Sequence, residues 1–321
     1  MIDTRAMDPA GVARDGDLFA VPGVRGAAVA SGVKPSGDLD LALVVFDEPM
    51  TAAGVFTRSA TAAPPVRLAR AQLREAPSAR AVMINSGNAN ALTGARGMQD
   101  ARTMRDAAQA ASGGPALVLS TGVIGVPLPI ERVTAGIERA AAALDASGPG
   151  VARAMLTTDT CEKRALARCA AGDAEHVIGG LAKGSGMIHP NMATMLALIA
   201  TDAPLTPAAA RAVLAHAVDR SFHEITVDGD TSTNDAVLLL ARTPHADRPP
   251  LEGGAIEALQ RAVTDVARSL ALQVVADGEG ATRLMQIHVD GAADRAEALA
   301  VASAIGRSPL VKTALAGGDP N

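Results

Sequence analysis

Short apolar runs alternate with stretches of helical spacing along this 321-residue chain, and that alternation restricts the fold more than any other feature. A run of four to eight apolar residues reads as a buried strand, whereas apolar positions three and four apart read as one face of a helix. The spacing predicts strands at 40–47, 54–57, 81–85, 117–120, 194–201 and 282–289, an apolar run at 176–182, and a turn at 47–53. Helices are expected over 64–76, 98–112, 130–145, 150–157, 206–220, 254–272 and 292–306. The helix at 206 opens with Thr206-Pro207, a capping residue followed by a proline suited to the first helical position. No repeat and no low-complexity segment interrupts the pattern. The class is α/β. Several strands lack a following helix, so a layered sandwich with β-sheets between helices fits at least as well as a doubly wound sheet. The Pro- and Gly-rich stretch from His245 to Gly254 is the best candidate for a boundary or surface loop.

With four Phe and no Tyr or Trp, such a sandwich has to be filled by Ala, Val, Leu, Ile and Met. The chain is 48% hydrophobic, enough for a real core and against global disorder. Its net charge is −5 and no basic stripe with interleaved aromatics occurs, so nucleic acid is a poor candidate partner. Cys161 and Cys169 cannot make a disulfide framework and match no zinc spacing, and no two of the six His sit at metal-ligand spacing. Asp228 and Asp230 invite a calcium reading, but the required Gly and Glu are out of place. The start, Met1-Ile2-Asp3-Thr4-Arg5, has no apolar core of a secretory signal. The longest apolar stretch, near Met192 to Ala200, falls far short of the roughly 20 residues needed to cross a bilayer. The expectation is a cytoplasmic, soluble protein without metal or membrane partner.

The segment richest in chemistry runs Lys183-Gly184-Ser185-Gly186-Met187-Ile188-His189-Pro190-Asn191-Met192-Ala193-Thr194. A phosphate loop needs Gly before Lys-Ser/Thr, and the order here is wrong. One remaining reading is a hairpin loop with Thr194 as an ordinary strand residue. The other is self-cleavage: the Thr194 hydroxyl attacks the preceding carbonyl, and hydrolysis of the ester frees an α-amino group. Such an amine has a reference pKa of about 7.7–8.0 and can serve as base for the hydroxyl of the same residue. His189 would then be unnecessary as a base and is expected to be a surface-loop residue. A second segment, Leu119 to Gly125, ends a strand in Thr121-Gly122, either a plain Gly turn or a place where a backbone N–H meets an oxyanion. The loop from Asn85 to Gly94 is dense in donors and acceptors, for substrate or for its own backbone. Thr157 to Thr160 and Ile225 to Asp235 are further polar loops, the latter read as bracing a site.

Together these segments resemble one family, the ornithine acetyltransferase (glutamate N-acetyltransferase) enzymes of the cyclic arginine pathway. The matching stretches are Gly54 to Arg58, Asn85 to Gly94, Ser120 to Gly125, Thr157 to Thr160, Lys183 to Leu196, Val227 to Asp235 and Ser308 to Asn321. They occur in the family's order, from about residue 18 to the end. The resemblance implies a sandwich laid out like N-terminal-nucleophile enzymes, cleaved between Ala193 and Thr194 into an α chain, 1–193, and a β chain, 194–321, two of each forming a heterotetramer. It makes Thr194 the nucleophile, Thr121 and Gly122 the oxyanion hole, and Thr157, Lys183, Thr194 and Glu279 the substrate-binding residues. Lys183 would pair with an amino-acid carboxylate and Glu279 with an ammonium. Thr194 would take acetyl from N2-acetyl-ornithine and pass it to glutamate, with acetyl-CoA a further donor in some members and no bound cofactor needed. Family members continue past Gly318-Asp319-Pro320-Asn321 with an Asn and a Thr or Ser for the site, so a truncated form that cuts itself but transfers acetyl poorly is expected. The competing readings are an N-terminal-nucleophile aminopeptidase or amidase, which gives its acyl group to water, and an inactive, uncleaved homologue.

Overall fold

From Leu41 to Phe56 the chain keeps alternating apolar side chains between two faces, and it forms one 16-residue strand rather than two strands and a turn. The computed structural model describes residues 2–189 and 195–319. Its first half contains β1 (Val24–Val29), β2 (Leu41–Phe56), α1 (Pro64–Glu75), β3 (Ser78–Asn85), α2 (Gly94–Ser112), β4 (Ala116–Ser120), α3 (Ile130–Ala142) and the single turn α4 (Val151–Ala154). Then come β5 (Lys163–Ala171), β6 (Ala174–Lys183), β7 (Leu196–Pro204), α5 (Pro207–Asp219), β8 (Ala236–Arg242), α6 (Gly253–Ala276), α7 (Arg295–Arg307) and α8 (Pro309–Gly317).

All eight strands join one mixed sheet in the order β4-β3-β2-β8-β7-β6-β5, with β1 also on β2. The first part of β2 pairs antiparallel with β1 on one edge and β3 on the other, and its second part pairs with β8. A register shift between Val45 and Met50 marks a bulge. The expected turn at 47–53 is this bulge: β3 and β8 offer partners to residues 50–56, so continuing the ladder satisfies the backbone better than reversing it. Pro49, which has no N–H to give, sits where the ladder is interrupted.

The bulge lets the sheet double over on itself. Ala42, Val44 and Phe46 pack in one cluster with Leu196, Leu198, Leu238 and Leu240 from the other half of the sheet. The opposite-facing Leu41, Leu43 and Val45 meet Met104, Val133 and Ile137 of α2 and α3. Ala197, Ile199, Val237 and Leu239 meet Val213, Leu214, Val263 and Leu270 of α5 and α6. The result is four layers, helices outside and two half-sheets inside, which is the layered sandwich expected from the sequence.

Three strands, β1, β5 and β8, lie outside the expected ones, and the helix expected at 150–157 is only α4. The segment 282–289 is not a strand. Its period-2 pattern survives, with Met285, Ile287 and Val289 half-buried between exposed Gln286 and His288, but it has no ladder partner among the described residues. Of the stretch His245 to Gly254, residues 245–252 are a surface loop with a His245–Arg248 bridge, and Gly253 and Gly254 open α6. No described helix is long and apolar enough to cross a membrane.

Candidate functional site

β4, β6 and β7 deliver their chemistry to one end of the sandwich: Ser120 is level with Leu41 at the start of β2 and Lys183 with Phe56 at its end, and the doubled sheet brings the two together. β4 stops at Ser120, β6 stops at Lys183, and Lys183 pairs with Leu196, the first residue of β7. Thr121 is buried, and its N–H donates to the Asn85 carbonyl at 3.0 Å. Gly122 follows at φ +127°, where a Cβ would come within 2.4 Å of the Gly87 carbonyl carbon and 2.6 Å of the Asn88 nitrogen, so a glycine is required. The Gly122 N–H makes no hydrogen bond among the described residues. A free strand-end donor therefore stands beside a threonine hydroxyl, the arrangement an oxyanion needs.

The loop from Asn85 to Gly94 supports this turn through its own backbone contacts. Ser120 Oγ donates to Asn85 Oδ1 at 2.5 Å, and Asn85 Nδ2 donates to the Asn88 carbonyl at 2.8 Å. Asn234 Nδ2 donates to the carbonyls of Ala89 at 2.6 Å and Ser120 at 2.9 Å, tying both loops to the start of β8. Of the two readings open for the Asn-rich loop, the structure favours the bracing one.

Lys183 is buried, and its Nζ donates to Thr157 Oγ1 at 2.7 Å and Thr121 Oγ1 at 3.3 Å, with Asp159 Oδ2 at 3.7 Å. Asp159 also accepts the N–H of Thr157 at 3.1 Å and of Gly184 at 2.6 Å, and it pairs with Lys163 Nζ at 2.7 Å. Lys163 reaches on to Asp277 Oδ2 at 2.7 Å. Burial alone would raise the Asp159 pKa, but the charges of Lys183 and Lys163 outweigh it and hold the group at about 2. Burial pulls Lys183 below its ordinary value, opposed by Asp159. Asp277 is lowered because Lys163 and Thr160 overcome its burial.

Thr121, Gly122, Thr157 and Lys183 thus come together. Glu279 is joined to them less directly. Its N–H donates to the Ser185 carbonyl at 2.9 Å, Ser185 Oγ donates to the Asp277 carbonyl at 2.7 Å, and its exposed carboxylate lies over Gly186. Beside it opens a cavity of about 970 Å³ shared with Val227, Val275 and Arg283. Ala193 and Thr194 lie outside the described residues.

Sequence reasoning missed Asp159, Lys163, Asp277 and Asp235. Asp159 and Asp235 stand within segments already singled out, Thr157 to Thr160 and Ile225 to Asp235, and Asp277 lies two residues before Glu279, but their side chains had no assigned partner. Asp235 accepts the Met195 N–H at 2.9 Å, while its second oxygen has no hydrogen-bond partner among the described residues. Burial pushes this carboxyl well above the usual range, against the pull of Met195 and Lys183. Asp228, in the loop read from sequence as bracing a site rather than binding calcium, accepts the N–H groups of Met187 at 2.6 Å and Ile188 at 3.0 Å and so braces the loop after β6. Among the described residues no three His, Cys, Asp or Glu are grouped to hold a metal. His189 Nδ1 lies 3.3 Å from Thr226 Oγ1, and burial lowers its pKa.

A family model described as the ArgJ family matches residues 25–321. The arginine biosynthesis bifunctional protein ArgJ of Methylococcus capsulatus is 46% identical over 310 residues, covering 95% of this chain and 75% of that relative. The solved ornithine acetyltransferase of Mycobacterium tuberculosis, in complex with ornithine, is 37% identical with a TM-score of 0.51, and the match covers 56% of this chain and 97% of the solved one. The L-aminopeptidase D-Ala-esterase/amidase of Ochrobactrum anthropi, a variant of the Ntn hydrolase fold, has a TM-score of 0.56 at 14% identity over 86% of this chain and 91% of its own, a likeness of fold alone.

Proposed function

The chain belongs to the ArgJ family, and we propose that it moves acetyl from N2-acetyl-ornithine to glutamate through Thr194. It is an acyltransferase of arginine biosynthesis. The observation that carries the proposal is the uncommitted Gly122 N–H beside the Thr121 hydroxyl, which lies 3.3 Å from the Lys183 ammonium at the sheet end where β7 begins.

In the first half-reaction the free amine of Thr194 takes the proton of its own hydroxyl, and Oγ attacks the acetyl carbon. Negative charge builds on the carbonyl oxygen, where Thr121 and Gly122 donate. The C–N bond breaks, the proton passes to the departing nitrogen, and ornithine leaves. The amine of glutamate then attacks the acyl-threonine carbonyl and gives a proton to the Thr194 amine, which passes it to Oγ as the C–Oγ bond breaks and acetylglutamate leaves. Thr157, Lys183 and Glu279 are assigned to substrate binding, and no metal or bound cofactor takes part. Acetyl-CoA is a second possible donor for the first half-reaction.

The amine has to be generated first. Oγ of Thr194 displaces the nitrogen from the Ala193 carbonyl, and water hydrolyses the resulting ester, leaving chains 1–193 and 194–321. In support, a little over half of this chain spans nearly the whole solved ornithine acetyltransferase chain, about the share that 1–193 represents. Two copies of each piece in a cytoplasmic heterotetramer complete the reading.

Intact mass on a denaturing gel tests it: wild type should give two pieces, and Thr194→Ala one. Cleavage surviving in the Ala variant would remove Thr194 from the processing. Acetate formed in place of acetylglutamate would move the chain to the amidases instead.

A further inference from the structure

A fully buried carboxylate to which no role has been assigned touches two of the residues expected to bind substrate, Thr157 and Lys183. The Asp159 side chain is 0% exposed and contacts the backbone of Thr157 and Gly184 and the side chains of Lys183 and Lys163. Building on the assignment of Thr121 to the oxyanion hole, we propose that Asp159 is a positioning residue for acetyl transfer: it keeps Lys183 as a donor to Thr121 Oγ1, so that the Thr121 hydroxyl proton is left for the substrate oxygen.

The argument is one of hydrogen-bond direction. An ammonium has three donors and no acceptor, while a threonine hydroxyl has one donor and two lone pairs. Lys183 donating to Thr121 Oγ1 and Thr157 Oγ1 occupies a lone pair on each and leaves each O–H free. A buried lysine without a counter-charge loses its proton. As a neutral amine it would offer one lone pair to these two hydroxyls, and whenever Thr121 donates to it the oxyanion hole keeps only the Gly122 N–H. The charged groups acting on Lys183 are Asp159 from the loop before β5, Lys163 from β5 and Asp235 from the loop before β8. Lys163 is engaged by Asp277, and Asp235 is pushed toward its neutral form by burial. Asp159 is the carboxylate that remains to keep Lys183 charged.

Asp159→Asn keeps the size and one of the two accepting oxygens while removing the charge. The titration midpoint of Lys183, followed by NMR on ε-carbon-labelled lysine and assigned with Lys183→Met, should fall at least tenfold in proton affinity. Turnover should drop on the order of 10²–10³, as when an oxyanion donor is lost, with KM little changed. Measured as a ratio to wild type at the same pH, which cancels protonation of the Thr194 amine, the loss should shrink on acidification as Lys183 regains its proton; a purely structural role would lower the melting temperature without changing that ratio. Should the single variant fold poorly, Asp159→Asn/Lys163→Met also removes the ammonium that opposes protonation of Lys183, and it should regain melting temperature while turnover recovers only as far as the Lys183 midpoint does. Wild-type turnover in a folded variant of either kind whose Lys183 midpoint has fallen, or an unmoved midpoint in the single variant, overturns the inference. The lysine titration needs no turnover, so absence of acetylglutamate from the wild-type enzyme would count against the proposed reaction while the midpoint still decided the role of Asp159.

Discussion

Gly122 has no room for a side chain. An alanine there would drive its Cβ into the Gly87 backbone at 2.4 Å, so the end of β4 would have to move away from Asn88 and carry the free N–H with it. Gly122→Ala should therefore cut acetyl transfer at least about 10²-fold, read as turnover of the folded variant. Thr121→Ala leaves the glycine donor in place and should lower turnover by roughly 10²–10³ with KM nearly unchanged; equal turnover in the two proteins would take Thr121 out of the mechanism. Asp235 carries a prediction of opposite kind. Its folded pKa is raised, so the folded state holds a proton that the unfolded chain releases near the ordinary aspartate value of about 3.9. Stability from this group therefore falls as pH rises from about 4 toward the raised value. Asp235→Asn should flatten that slope in urea melts between pH 4 and 7, and an unchanged slope would show the carboxyl to be ionised in the fold.

At the scale of elements, what holds a segment is whether its backbone finds partners. Thr206 Oγ1 accepts the Ala209 N–H at 3.2 Å at the start of α5, a helix whose buried face packs in the core against β7 and β8. Thr206→Ala should cost about 1 kcal/mol in denaturant melts and leave turnover unchanged. The segment 282–289 has alternating apolar residues but no ladder. Its amides should exchange with solvent far sooner than those of β7 or β8, whose ladders lie in the middle of the sheet. Protection in 282–289 equal to that of β7 would refute this.

Across the whole molecule, the buried chain Lys183–Asp159–Lys163–Asp277 joins the loop before β5, the ends of β5 and β6, and the end of α6. Both aspartates have folded pKa values below their unfolded ones, so their contribution is present above about pH 4 and disappears as pH falls toward 2. For Asp159 the loss should amount to about 2 kcal/mol. Asp277→Asn should make acid unfolding shallower between pH 4 and 2; an acid limb as steep as wild type would mean that the network adds nothing to stability.

The sequence by itself determined the alternation of elements, most strand and helix positions, the α/β class, and the strand-end Thr121-Gly122 and Lys183 that the site assembles. These are local facts: a period of two or 3.6, a cap such as Thr206-Pro207, a glycine after a strand. Only the tertiary structure decided that 47–53 is a bulge, because the choice between turn and ladder depends on what β3 and β8 offer across the sheet. It decided likewise that 282–289 lacks a ladder despite its pattern, since a strand exists only with a neighbour. The network around Asp159 was illegible for the same reason. Lys163 and Asp277 lie 114 residues apart and meet only when α6 crosses the folded sheet, and a carboxylate's charge state depends on which cations the fold brings within reach.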